Sequence, residues 1–201
     1  MSEYPNIEIE VAGPAAMFTR PDTGATPISY PVPTYSAAKG MFDAVLRRTN
    51  IYIRPTLVEV CAPIRYERYV TNYGGPLRKP TQIKANNNYQ LIATILIDVH
   101  YRIYAEIKEK KRSGQRKLEY GAEFKKEFDR RIKAGQTFYT PCLGWKEFVP
   151  TYFGALQKET VADNSVNLVI PSLLQSIWER GTVRPTFKQN VVIKDGVMLY
   201  E

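Results

Sequence analysis

Only two cysteines, Cys61 and Cys142, and one histidine, His100, occur in 201 residues. They cannot assemble a Cys/His-rich zinc site, which takes about four such ligands. Carboxylate-based metal sites alone stay open, and the sequence points away from metals and cofactors. No apolar run approaches the roughly 18 to 20 residues that a membrane helix needs, so a soluble chain without membrane contact is expected. Met1-Ser2-Glu3-Tyr4-Pro5 lacks the charged and apolar regions of a signal peptide, which with the sparse cysteines fits a cytoplasmic, reducing compartment. Hydrolase signatures are missing as well: there is no phosphate-cradling Walker loop and no nucleophile elbow, and His100 is the one neutral-pH base. It sits in an alternating strand pattern, where a structural role outweighs a catalytic one.

What the chain does have is cations. Hydrophobic residues make up 44% and charged residues 24%, which is globular composition, and the net charge is +8. Lys108 to Lys133 holds 11 Lys or Arg against 5 Asp or Glu, Arg65 to Lys84 holds 5 against 1, and the remainder is slightly acidic. An excess confined to two segments suits a track that displaces counterions from a phosphate backbone; the plainer alternative is a solvated helix face plus a loop.

Hydropathy patterning predicts the elements. Ile7, Ile9 and Val11 alternate as a first strand, and Gly13 to Pro33, with five prolines, reads as an ordered surface loop. Ala37, Ala38, Met41, Phe42, Val45 and Leu46 mark a helix from Ser36, its cap, to Arg48, with Arg47 and Arg48 at the negative end of the dipole. Leu57, Val58 and Val60 suggest a second strand, and the polar stretch from Arg65 to Tyr89 a long insertion. Strict alternation from Ile95 to Ile107 is the strongest strand signal. Phe124, Phe128 and Ile132 define a second helix ended by Gly135, a fourth strand is expected within Glu147 to Phe153, and Asp195-Gly196 turns a C-terminal hairpin. Val166 to Trp178 fits either helix or strand. The order is that of an α+β, ferredoxin-like (RRM/RAMP) βαββαβ domain over 1–155, with a short β-rich extension over 156–201.

Within the insertion, Arg65, Tyr66, Arg68, Tyr69, Tyr73, Arg78, Lys79, Lys84 and Tyr89 interleave cations with flat rings, which pair with phosphates and stack on bases. The bland counterpart is a mobile loop whose tyrosines cover the core. Fourteen tyrosines leave a metal-free RNA cleavage site, which needs a base and a cation, unassignable from residue types alone.

Ser29-Tyr30-Pro31-Val32-Pro33-Thr34-Tyr35-Ser36-Ala37-Ala38-Lys39-Gly40 resembles the loop-to-helix segment of the CRISPR-associated Cas-five family, type I-C branch. Met17-Phe18-Thr19-Arg20-Pro21, Asp98-Val99-His100-Tyr101, Lys133-Ala134-Gly135-Gln136-Thr137-Phe138 and Pro141-Cys142-Leu143-Gly144 follow the same order. The resemblance implies a RAMP protein that binds the 5′ handle of CRISPR RNA. It would cap a Cascade backbone beside Cas-seven-type and Cas-eight-type subunits and meet target DNA indirectly through the complex. Its RNA contacts are expected among Arg20, Tyr35, Lys39, Arg47, Arg48, the insertion, and Lys125 and Lys126 on the second helix. The branch also implies a metal-independent endoribonuclease that uses a tyrosine near the end of the first helix and a Lys-His pair starting the second. Here those positions fall on Leu46, Glu123 and Phe124, none of which preserves the chemistry. Holding the guide is therefore expected, with no catalytic residue. The alternative is cleavage with Lys117 or Lys125 replacing the lysine and Tyr120 as base.

Overall fold

A single 21-residue strand, β4 (Tyr89–Glu109), is the spine on which the other strands are hung. The computed structural model describes residues 6–73, 79–85, 89–109, 120–179 and 182–200, with the backbone alone at 72, 73, 82, 89, 176–179 and 182–184. On one side β4 pairs with β1 (Asn6–Ala16). On its other side it meets β3 (Arg65–Tyr73) along residues 89–97 and β2 (Ile51–Val60) along 101–109. The change of partner falls at Asp98, whose φ is +50°. With β5 (Tyr152–Gly154), β6 (Leu168–Glu179), β7 (Thr182–Lys194) and β8 (Val197–Leu199), these strands form one eight-stranded sheet of order β5-β1-β4-β2-β8-β7-β6, β3 lying off that path on β4. All of its ladders are antiparallel. The helices are few: α1 (Tyr35–Val45), α2 (Pro80–Lys84) and α3 (Tyr120–Lys133). None of the described helices is long and apolar enough to cross a membrane.

Alternation decides which face is buried. Ile7, Ile9 and Val11 of β1 and Ile103, Ala105 and Ile107 of β4 turn to the same side and are at most 1% exposed. Phe42 of α1 and Phe124 and Phe128 of α3 cover them, with Phe42 and Phe128 centroids 5.9 Å apart. Each such ring removed from water contributes about 2 to 3 kcal/mol. Strand β4 also fixes the start of α3, because Glu109 Oε1 accepts from the Gly121 N–H at 2.8 Å. Gly135, with φ +64°, ends α3 as expected, and Gln136 N–H donates to Arg131 O at 2.9 Å. Asp195 and Gly196 both adopt positive φ in the terminal hairpin, and Val166 to Trp178 resolves as β6 from Leu168 onward.

Several expectations need correction. The cap of α1 is Thr34, whose Oγ1 accepts from Ala37 N–H at 3.3 Å, and Ser36 is already inside the helix. The helix ends at Val45, so Arg47 and Arg48 lie beyond its last turn. The stretch from Gly13 to Pro33 is less of a surface loop than its prolines suggest. Strand β1 runs through Gly13 and Pro14, and Met17, Phe18, Tyr30 and Val32 are buried. Pro14, with no N–H to donate, falls in register opposite the distorted Asp98, where the ladder is interrupted anyway. The described part of the insertion is not a loop but β3 and α2, with Tyr89 opening β4, and the fourth strand is only Tyr152–Gly154.

Candidate nucleic-acid interface

The β3–β4 ribbon presents the insertion's cations on a paired backbone. Arg65, Tyr66, Arg68 and Val70 are exposed, and Arg65 reaches back to Asp98 at 3.1 Å. Tyr69 turns inward. Its ring meets Phe148 edge-on at 5.6 Å, Phe148 stacks on Trp145 at 5.9 Å, and Trp145 Nε1 donates to Thr19 Oγ1 at 2.9 Å. Arg20 lies 5.8 Å from the Tyr30 ring centroid and pairs with Asp22 at 2.7 Å. Burial raises the Tyr66 hydroxyl pKa and the positive field of Arg20 opposes it, which puts Arg20 beside the ribbon. Lys79 and Lys84 are exposed near α2. Arg78 and the Tyr73 side chain lie outside the described residues.

A second surface forms where α1 meets the first residues of β2, ahead of its pairing with β8 at Leu57–Glu59. Tyr35, Lys39 and Asp43 recur every four residues and so share one face of α1. Tyr35 Oη and Tyr52 Oη hydrogen-bond at 2.9 Å, Lys39 Nζ sits 5.6 Å from the Tyr52 centroid, and Lys39 also pairs with Asp43. Burial first, then the Tyr52 bond, pushes the Tyr35 hydroxyl pKa well up, so it stays protonated. Tyr139 Oη donates to the Gly40 carbonyl at 3.0 Å, closing this face. Arg47 is exposed and makes no ion pair among the described residues, whereas Arg48 pairs with Glu123 at 3.2 Å. Sequence reasoning missed Tyr52 and Tyr139; an exposed aromatic in a strand and one in a loop carry no periodic signal.

On α3 the charges largely satisfy one another. Lys125 pairs with Asp129 at 2.9 Å. Glu127 bridges Arg130 and Arg131, whose hydrogen bonds hold its carboxyl down at about 2. Lys126 is exposed without an ion pair among the described residues. Solvent screens ion pairs at such exposure, so a phosphate can replace the carboxylate at little cost.

The three positions at which the resemblance implies cleavage chemistry lie close together, at the seam between α1 and α3. Leu46 is 8% exposed and Phe124 is fully buried against Phe128, while Glu123 faces solvent in its pair with Arg48. Tyr120, 36% exposed, opens α3, and Lys117 lies outside the described residues. His100 is elsewhere, on the sheet face away from the helices. Its Nε2 donates to Glu10 Oε1 at 2.8 Å. The fully buried Glu10 also accepts from Arg102 Nε at 3.2 Å, Gln157 N–H at 2.8 Å and Thr160 Oγ1 at 2.7 Å. Burial raises the Glu10 pKa, but these donors outweigh it and the net shift is downward. The cluster pins the 157–160 segment to β1 and β4. No group of three metal-ligating side chains occurs among the described residues.

Residues 6–187 match the model of the Cas5d family, described as CRISPR-associated protein (Cas_Cas5). The CRISPR pre-crRNA endoribonuclease Cas5d of Thermus thermophilus is 31% identical over 192 residues, covering 91% of this chain and 79% of that protein. Among solved structures, one described as a CRISPR-associated protein superposes with a TM-score of 0.73 at 22% identity, over 100% of this chain and 94% of the other. A chain of a CRISPR RNA-guided surveillance complex superposes at 0.58 with 14% identity, over 96% and 91%. The two structures share the fold, and the family model and the relative carry the assignment: the chain belongs to the Cas5 family of CRISPR-associated proteins, in its type I-C (Cas5d) branch.

Proposed function

We propose that this protein holds CRISPR RNA by its 5′ handle in a type I-C-like Cascade complex of the cytoplasm. It caps the backbone there beside Cas-seven-type and Cas-eight-type subunits. The observation that carries the reading is the family match across residues 6–187, which spans both cation-bearing surfaces. Arg65, Arg68, Lys79 and Lys84 supply one, with Arg20 beside them, and Tyr35, Lys39, Arg47 and Arg48 the other, with Lys125 and Lys126 outlying. The path β5-β1-β4-β2, with α1 between β1 and β2 and α3 between β4 and β5, supports a ferredoxin-like unit over 1–155 into which β3 and α2 are inserted. Residues 156–201 then form the extension.

Binding of the purified chain to the 5′ handle of its cognate repeat should weaken linearly on a log–log plot against salt. Replacing Arg65, Arg68 and Lys79 together with glutamine should weaken it further. Unchanged affinity in that variant would remove the ribbon from the site.

A second reading, metal-independent cleavage of precursor RNA at the repeat, is favoured by the name of the Thermus relative. Against it stand the apolar Leu46 and Phe124 and the carboxylate of Glu123 at the positions where proton transfer and a cation are needed. Incubation with repeat RNA in EDTA separates the readings, because efficient cleavage at one site would sink the holding-only form.

A further inference from the structure

Phe138 is the most exposed large hydrophobic side chain among the described residues, at 76%. An isolated surface aromatic needs no explanation when its backbone is free to move, but this one is clamped. The Phe138 N–H donates to the Ala44 carbonyl at 2.6 Å, and Tyr139 N–H shares the same acceptor at 3.4 Å. Tyr139 Oη is tied to Gly40, and the Gly135 turn fixes the other end of the segment. The ring therefore stands out from an ordered backbone with its immobilisation already in place, braced edge-on by Tyr139 at a centroid distance of 6.3 Å.

Its surroundings are cationic and polar. Arg131 Nη1 donates to the Val45 carbonyl at 3.3 Å and so brings the ends of α1 and α3 together beneath the segment. Arg47 and Lys133, at those two ends, are exposed and make no ion pairs among the described residues. Arg47 follows Ala44, the acceptor of both N–H groups, by three residues, and its positive field opposes the rise that burial and Asp43 give the Tyr139 hydroxyl pKa. The exposed neighbours Gln136, Thr137 and Thr140 are polar. A flat ring on a surface that also carries these two cations suits an unstacked base with its flanking phosphates.

We propose that Phe138 stacks on one unpaired base of the bound RNA while Arg47 and Lys133 take the adjacent phosphates. This rests on the RNA-binding reading above and deepens it, extending the α1 surface that already includes Arg47 to a base-stacking ring and to Lys133 at the end of α3.

The test uses the full chain and its cognate repeat RNA, with affinity measured over a range of salt. Phe138→Ala should weaken binding about tenfold without changing the salt slope, and Phe138→Trp should restore it. Arg47→Gln should weaken binding and also reduce the slope by about 0.7. Thermal midpoints of the Phe138 variants should match the parent, since only exposed ring is removed. Full affinity in Phe138→Ala, with loss in Arg47→Gln, would overturn stacking and leave the RNA reading intact. Full RNA affinity with failure to assemble with the other complex subunits would make Phe138 a protein anchor and likewise overturn it. No binding by the unaltered chain would end both readings.

Discussion

Arg48 and Glu123, 75 residues apart in sequence, meet in a 3.2 Å ion pair across the seam between the end of α1 and the first turn of α3. The carboxylate stands on a surface proposed to receive phosphate and occupies one of its cations. Glu123→Gln should therefore raise affinity for the repeat RNA severalfold at low salt, the gain shrinking as salt screens it. Stability should change by less than about 0.5 kcal/mol, because the pair is exposed. Equal affinities for both forms at low ionic strength would place the RNA away from this seam.

Glu10 predicts the chain's acid sensitivity. Its folded pKa lies below the ordinary carboxylate value of 4.5, so the unfolded state binds the extra proton first as pH falls. The stabilisation is complete above 4.5 and is lost below it, as pH falls through the folded value. Glu10→Gln cannot satisfy four donors with one carbonyl oxygen and should cost about 3 kcal/mol at pH 7. In urea titrations the gap between parent and variant should be constant from pH 7 to 5 and narrow in more acidic buffers. A gap independent of pH throughout would contradict the assignment.

Two glycines with positive φ separate backbone strain from steric collision. A Cβ on Gly144 would lie 1.8 Å from the Met17 carbonyl oxygen, whereas one on Gly24 would meet nothing within 4 Å. Gly24→Ala should cost about 1 to 3 kcal/mol, the backbone strain of its φ of +59° and ψ of −127° alone. Gly144→Ala adds a backbone clash that no rotamer relieves, and it should lower the thermal midpoint far more or prevent folding. Similar midpoints for the two variants would show that the Met17–Gly144 contact is loose.

What could be read from the sequence was what local chemistry decides. Strict alternation from Ile95 to Ile107, the four-residue steps of Phe124, Phe128 and Ile132, and the Asp195-Gly196 turn each need only neighbours along the chain. Strand β3 needed a partner: Arg65, Tyr66, Glu67 and Arg68 are all exposed, so no period of two exists to read, and pairing with β4 alone makes them a strand. The proline-rich segment misled for a related reason, since Pro14 is accommodated by a distortion 84 residues away at Asp98. At the candidate site, the cations were found by counting charge, but counting does not reveal that Lys39, Arg48, Arg65 and Lys125 each already hold a carboxylate. Phe138 lay within a motif that served only for recognition, because exposure is a property of the folded surface.

Tyr69 links the ribbon to the body of the molecule. Its edge-on contact with Phe148, and the Phe148–Trp145 stack behind it, tie β3 to the 143–148 segment and through Thr19 to the chain after β1. An aromatic pair of this kind contributes about 0.5 to 1.5 kcal/mol beyond its buried area. Tyr69→Ala should leave every cation in place yet loosen the surface that carries them. Amide hydrogen exchange should quicken in β3 and in the facing residues 89–97, while β1 and α1 keep their protection. RNA affinity should fall severalfold with an unchanged salt slope, since order is lost rather than charge. Faster exchange in β3 with undiminished affinity would show that the ribbon folds onto the body without contributing to the RNA site, leaving the α1 surface as the place where the handle is held.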